Sequence, residues 1–250
     1  MNPFAARLTQ ETAPSLGMIV LQADLTVEAD MRRMVPLDTR LLVSRVPSGD
    51  AVTPESLSAM EGHLAAAAGL FPRGHAFDVV AYACTSGAAQ IGSDRVADRV
   101  LAGTEAGRVT DPVTALLAAC TALGAARLAI LSPYIAPVSE RLRQVLAARG
   151  VETPGFGTFA EPEEARVARI DAASVCAATQ ALVERAPPVD AVFLSCTNLR
   201  TLGVIDRLET TLGLPVLSSN LVLAWHMLRL CRAPALPQAP GRLFAAHPPG

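Results

Sequence analysis

Two stretches of this chain have the residue types and spacing for thiol chemistry. They are Asp78-Val-Val-Ala-Tyr-Ala-Cys84-Thr-Ser-Gly87 and Asp190-Ala-Val-Phe-Leu-Ser-Cys196-Thr-Asn198. In each, an aspartate stands six residues before a cysteine, and a Cys-Thr pair closes an apolar run. A free thiol ionises near pH 8.5, and its pKa falls at a helix N-terminus or beside a cation. The backbone N–H groups of Thr85, Ser86, Gly87, Thr197 and Asn198 can face an anion there, and the hydroxyls add donors. Two such thiols on either side of a carboxylic acid permit cofactor-independent racemisation. One thiolate removes the α-proton, the other thiol returns a proton from the opposite face, and the donors stabilise the enediolate. Alternatively, one thiolate adds to an activated double bond, which rotates before the sulfur leaves.

The elements that must position these thiols are legible. An unbroken apolar run bounded by turn residues reads as a buried parallel strand. Ligands of open α/β sheets bind beyond the carboxyl ends of such strands. The first half reads as strand (16–21), helix (25–34, with Asp30 on its wet side), strand (41–46) and helix opening at Thr53-Pro54. The first cysteine strand, a helix from Ser93, a short strand (108–111) and a helix from Pro112 to Gly124 follow. The pattern then restarts: strand (126–132), helix (135–148), strand (151–159), helix (171–185), the second cysteine strand, helix (199–212), strand (214–218) and helix (220–230). Partners lie about 110 positions apart, and Cys196 minus Cys84 is 112. The expected architecture is α/β: two lobes related by a pseudo-twofold, each a mostly parallel four-stranded sheet flanked by helices, with the active site in the cleft between them. Residues 1–118, with a returning helix at 221–232, form the N-terminal lobe. Residues 119–220 form the C-terminal lobe, and a Pro-rich tail at 233–250 frays.

Composition excludes several classes. The charge is −2 with a pI of about 6.1, so no basic face argues for nucleic acid. Apolar stretches are strand-length and broken by Pro or Gly, so no membrane span is expected. The N-terminus lacks the apolar core of a signal peptide, which predicts a cytoplasmic protein. Five cysteines without close pair spacing read as thiols, and Cys120, Cys176 and Cys231, within helices, read as buried packing. The four histidines have no ligand spacing to a cysteine, so no metal and no cofactor is expected.

With Ala83-Cys-Thr-Ser-Gly87, Val52-Thr-Pro-Glu55, Leu16-Gly-x-Ile-Val20, Ser132-Pro-Tyr134, Ala168-Arg-Ile-Asp171, Ser195-Cys-Thr-Asn198 and Pro215-Val-Leu-Ser-Ser-Asn220, the chain resembles the aspartate/glutamate racemase superfamily. It looks like the branch of maleate cis-trans isomerases, arylmalonate decarboxylases and ectoine-utilisation proteins, over roughly residues 14–232. The resemblance implies that Cys84 is the nucleophile or base of the first half and Cys196 the thiol of the second. Decarboxylases of the branch keep only the second-half cysteine. Thr85, Ser86, Tyr134 and Thr197 match positions that hold a substrate carboxylate. Two positions depart: maleate isomerases carry asparagines where Asp24 and Glu164 stand. Two acids there repel a second carboxylate and suit an ammonium group. Leu21-Gln-Ala-Asp24 is most similar to the ectoine-utilisation proteins, whose pathway passes through diaminobutyrate derivatives. Arg45, at the end of the second strand, is a further candidate for a carboxylate.

These readings predict racemisation of a small amino acid or acylated amino acid by Cys84 and Cys196, in a homo-oligomer (dimer or tetramer). Asp24, Thr85, Ser86, Tyr134, Glu164, Thr197 and Asn198 bind the substrate. The rivals are maleate isomerisation through a Cys84 adduct and a carboxylate-binding protein without turnover. The expected helix-start position of Cys84 predicts that iodoacetamide labels it before Cys120, Cys176 or Cys231 at neutral pH.

Overall fold

The computed structural model describes residues 4–9, 12–49 and 51–249. The first lobe runs β1 (Ser15–Leu21), α1 (Val27–Met31), β2 (Arg40–Val46), α2 (Pro54–Ala59), α3 (Glu61–Ala68), β3 (Phe77–Ala83), α4 (Thr85–Ile91), α5 (Ser93–Leu101), β4 (Ala106–Thr110) and α6 (Pro112–Leu123). The second runs β5 (Arg127–Ser132), α7 (Ala136–Ala147), β6 (Glu152–Thr158), α8 (Glu164–Val167), α9 (Ala172–Arg185), β7 (Ala191–Leu194), α10 (Ile205–Leu212), β8 (Val216–Ser218) and α11 (Ser219–Cys231), with α12 (Gly241–Ala246) beyond it. All strands are parallel, in the orders β2-β1-β3-β4 and β6-β5-β7-β8. The two sheets therefore repeat one plan, as the sequence repeat predicts.

That strand order decides where a site can form. The chain leaves β1 toward one edge and β3 toward the other, and β5 and β7 do the same. The carboxyl ends of β1, β3, β5 and β7 thus border two topological switch points, where crossovers diverge and leave a crevice. The repeated aspartates secure this order. Asp78 Oδ2 accepts the N–H of Ser15 at 2.7 Å, so β3 pins the start of β1. Asp190 Oδ2 accepts the N–H groups of Ala126 and Arg127, each at 2.8 Å, so β7 pins β5. The aspartate of the Asp-x5-Cys motif is therefore a strand clamp at the end opposite the thiol.

The lobes close against each other through helices. The α4 helix packs on α7, and α11 packs on α6, β3 and β4 of the first lobe. Fully buried Trp225, Tyr82 and Phe193 fill the interior. Over the cleft, Val52 N–H donates to the Pro162 carbonyl at 2.9 Å, and Ala51 bridges Glu163 in antiparallel fashion.

Four expectations are corrected. A helix, α4, begins directly after Cys84 instead of waiting for Ser93, because the Cys84 sulfur caps it. Residues 199–212 are not one helix: a 3₁₀ turn at Leu202–Val204 precedes α10, and an irregular loop follows Cys196. The tail does not fray. Leu243 and Phe244 of α12 are buried, the Arg242 N–H meets Glu209 Oε2 at 2.9 Å, and Trp225 Nε1 donates to the His247 carbonyl at 2.7 Å. Finally, Asp30 does not face water. It is buried and accepts from Asn220 Nδ2 at 2.8 Å, while the same amide donates to the Thr197 carbonyl at 2.8 Å.

Burial pushes Asp30 up from 3.8 to about 6, opposed by its Asn220 bond and by Arg33. A raised acid binds its proton more tightly folded than unfolded. Its contribution is therefore full below pH 4 and is lost as pH rises through 6. Relative to Asp30→Asn, the wild type should lose about 2 kcal/mol of stability between pH 4 and 6.5. Urea titrations of both proteins across that window measure it, and equal slopes would remove the account.

Candidate active site

The cavity between the switch points is lined by Leu21, Asp24, Leu57, Cys84, Thr85, Ser86, Tyr134, Glu164, Cys196, Thr197 and Asn198. It is nearly closed, with room of about 10 Å³, about that of one water molecule. All nine candidates named as site residues from the sequence line it. Among the described residues, no lysine, arginine or histidine does. Arg45 stands elsewhere: its guanidinium donates to the carbonyls of Leu21 and Asp24 at 2.9 and 3.1 Å and pairs with Glu28, so it braces the β1–α1 loop.

Cys84 ends β3 and caps α4, its Sγ accepting from the Gly87 N–H at 3.2 Å. Gly87 has no alternative, since a Cβ there would stand 2.3 Å from the Tyr82 hydroxyl and 3.0 Å from the Cys84 sulfur. Cys196 occupies the matching place after β7 in a different backbone. Its φ of +111 is one that L-residues rarely adopt, and such strain costs about 1–3 kcal/mol where the surroundings enforce it. Three bonds enforce it here. The Ser195 N–H donates to the Leu131 carbonyl at 2.9 Å, the Cys196 N–H to Ser219 Oγ at 2.9 Å, and the Asn198 N–H to Cys196 Sγ at 3.3 Å.

Ser219 was missed by sequence reasoning. At the start of α11, its oxygen receives the Cys196 N–H from one lobe and the Thr85 hydroxyl, at 2.7 Å, from the other. The Pro-Val-Leu-Ser-Ser-Asn motif was the available signal, but nothing local aims that hydroxyl at the thiols. Asn198 is a second tie. Its Oδ1 accepts the Leu25 N–H at 2.9 Å, and its Nδ2 donates to Glu164 Oε2 at 2.9 Å. Its side chain is fully engaged by the protein. Thr197 Oγ1 donates to the Ala83 carbonyl at 3.3 Å, again across the lobes.

Two acids face the cavity. Asp24 Oδ1 caps the α1 turn, accepting the N–H groups of Thr26 and Val27 at 2.8 and 2.9 Å. Its Oδ2 is buried without a hydrogen bond among the described residues; the Thr197 hydroxyl lies beside this carboxyl but donates to the Ala83 carbonyl. Glu164 Oε1 accepts the Tyr134 hydroxyl at 2.6 Å, and that hydroxyl lies 2.9 Å from Cys196 Sγ. Burial raises the pKa of Asp24, Glu164 and Tyr134. It also pushes Cys84 up to about 12, aided by the negative charge of Glu164 and against the Gly87 N–H. Cys196 is raised well above its ordinary value for the same first reason. The expectation of a depressed thiol is therefore corrected: an N–H donor at a helix start does not offset full desolvation beside two carboxyls. Among the described residues, no cluster of three His, Cys, Asp or Glu side chains is arranged to hold a metal ion. None of the described helices is long and apolar enough to cross a membrane.

A family model for arylmalonate decarboxylase matches residues 16–244. Arylmalonate decarboxylase of Bordetella bronchiseptica is 34% identical over 244 residues, covering 95% of this chain and 99% of that protein. Maleate isomerase of Nocardia farcinica is 27% identical over 249 residues, covering 92% and 94%. Among solved structures, a liganded double mutant of arylmalonate decarboxylase superposes with a TM-score of 0.83 at 31% identity, covering 94% of this chain and 100% of that one. A Cys-to-Ser mutant of the Nocardia farcinica maleate cis-trans isomerase, carrying a covalently bound succinylcysteine intermediate, superposes with 0.81 at 26% identity, covering 93% and 98%.

The raised Cys84 thiol has a measurable consequence. At pH 7 iodoacetamide should label the partly exposed Cys231 before the buried Cys84. The Cys84 rate should then climb about tenfold per pH unit between pH 7 and 9. Site-resolved mass spectrometry reads both, and a Cys84 that labels first at pH 7 would restore the depressed thiol.

Proposed function

The chain belongs to the arylmalonate decarboxylase family, and within it we propose that this protein is a cofactor-independent racemase acting on an acid with one carboxylate and an amine or acylamino group. The observation that carries this reading is that Cys84 and Cys196 line one closed cavity from equivalent positions in opposite lobes. A substrate held between them can lose its α-proton to one thiolate, and the planar carbanion that results can gain a proton from the other thiol. Desolvation makes each thiolate scarce but a stronger base, which suits a weakly acidic Cα–H. The Ser86 hydroxyl, with the N–H groups of Thr85 and Ser86, is the donor set for the carboxylate as it becomes an enediolate.

The substrate class follows from Asp24. A buried carboxylate oxygen without a donor is costly, and a ligand N–H aimed at Oδ2 removes that cost. A dicarboxylate would instead meet Asp24 and Glu164 with no cation in the lining. Each ionised pair at 4 Å opposes binding by about 4 kcal/mol at an effective dielectric of about 20. This is why the racemase reading ranks above maleate isomerisation and arylmalonate decarboxylation, the activities carried in the relatives' names. Maleate isomerisation through a Cys84 adduct is the second reading, supported by the retained first-half thiol and by the succinylcysteine of the Nocardia farcinica enzyme. Ectoine breakdown is one setting that would supply such an amino acid.

The test is α-deuterium uptake from heavy water by a panel of amino acids and N-acetyl amino acids. The wild type should exchange and racemise one of them. Cys84→Ser and Cys196→Ser should each lower racemisation by about 10²–10⁴-fold. Asp24→Asn should weaken that ligand by about 1–3 kcal/mol and strengthen maleate. Efficient fumarate formation from maleate by the wild type, without α-exchange on any panel member, would replace this reading with the second.

A further inference from the structure

The hydrogen bonds behind Cys196 run in a definite direction. The Tyr134 hydroxyl has one proton and gives it to Glu164 Oε1 at 2.6 Å. The 2.9 Å contact with Cys196 Sγ must then run from the thiol S–H to the Tyr134 oxygen. The arrangement is thiol to phenol to carboxylate, with all three groups buried. Asn198 Nδ2 holds the far oxygen of Glu164 at 2.9 Å and keeps the near one aimed at Tyr134. Among the described residues, no cation pairs with Glu164. Cys84 also has a phenol beside it, Tyr82, but that hydroxyl donates to Met60 Sδ at 3.6 Å rather than to a carboxylate, and the sulfur receives the Gly87 N–H.

We propose that Glu164, acting through the Tyr134 hydroxyl, accepts the Cys196 proton and so generates the thiolate inside the closed cavity. The racemase reading supplies only what that thiolate does next. In the transfer the Cys196 S–H bond breaks as a Tyr134 O–H bond forms, and the old Tyr134 O–H bond breaks as a Glu164 O–H bond forms. Tyr134 ends neutral, and the single negative charge moves from carboxylate to sulfur. No proton leaves for solvent. Both ends are dry, so desolvation weighs on the initial and final states alike. The ordinary pKa values of about 8.5 and 4.3 leave the transfer uphill by about 10⁴-fold. A transient thiolate fraction of about 10⁻⁴ follows, and it is independent of pH while Glu164 remains ionised. In the reverse direction, where Glu164 already holds the proton while Cys196 donates to a carbanion, the same path returns that proton to the sulfur. Glu164 is a positioning residue here, since it touches the thiol only through Tyr134.

The groups that set this balance come from every neighbouring loop: Asp24 after β1, Cys84 after β3, Tyr134 after β5 and Cys196 after β7. Glu161 and Arg166 pair with each other at the surface at 2.6 Å.

The pH profile of Cys196 alkylation by iodoacetamide tests the relay without any substrate. In the wild type the rate should change less than threefold between pH 7 and 9, because the thiolate fraction is set internally. In Glu164→Gln, and in Tyr134→Phe, the rate should climb about tenfold per pH unit, about 100-fold over the window. Cys84, read in the same samples, should climb in all three proteins. A wild-type Cys196 rate that climbs like Cys84, or a Cys196 unlabelled through pH 9, overturns the relay. So do variants as flat as the wild type. The wild-type profile decides even where a variant fails to fold. A flat wild-type profile in a protein that exchanges no α-proton leaves the relay standing and removes the racemase reading instead.

Discussion

Four acids share one buried cavity with no cation among the described lining residues. Asp24, Glu164, Cys84 and Cys196 face the same nearly closed cavity, and among the described residues no basic side chain lines it. An ionised group in such a place loses its hydration, and the one counter-charge nearby, Arg45 toward Asp24, does not offset that loss, so each pKa moves up. The cavity can hold little negative charge at rest. That limit makes a second substrate carboxylate unwelcome, leaves Asp24 Oδ2 in want of a donor, and keeps the thiols protonated until charge already present can be moved onto sulfur.

The fold provides this enclosure by repetition. Two sheets of equal strand order place two switch points face to face, and the strand-clamping aspartates hold the register from the far end. The lobes are then sewn together at the site itself. Ser219 receives a donor from each lobe, Asn198 reaches from the Cys196 loop to Leu25, and Thr197 bonds Ala83. Equivalent positions nevertheless do unequal work. Cys84 sits in relaxed extended backbone at the start of a helix, whereas Cys196 is held in a strained turn with a phenol and a carboxylate behind it.

Much of this was legible in the sequence, for identifiable reasons. Apolar runs ending in Cys-Thr report buried parallel strands, because only a strand covered on both faces tolerates such a run. The recurrence at 112 residues reports the duplication, and with it the two equal sheets and the meeting of both thiols. Eight of the nine candidates reach one cavity because they follow strand ends, and strand ends follow from where apolar runs stop; Glu164, at the start of α8, is the exception. What only the tertiary structure decided is the electrostatics and the direction of each bond. A thiol pKa depends on how completely water is removed, and a helix start read from local sequence says nothing of the second lobe closing over it. Asp30 shows the same limit: on its own helix it belongs to the polar face, and only Asn220, 190 residues away, makes that face interior. Ser219 and Glu164 acquire their parts in the same way, from partners contributed by other loops, because proximity across a cleft between two lobes leaves no periodic trace along the chain.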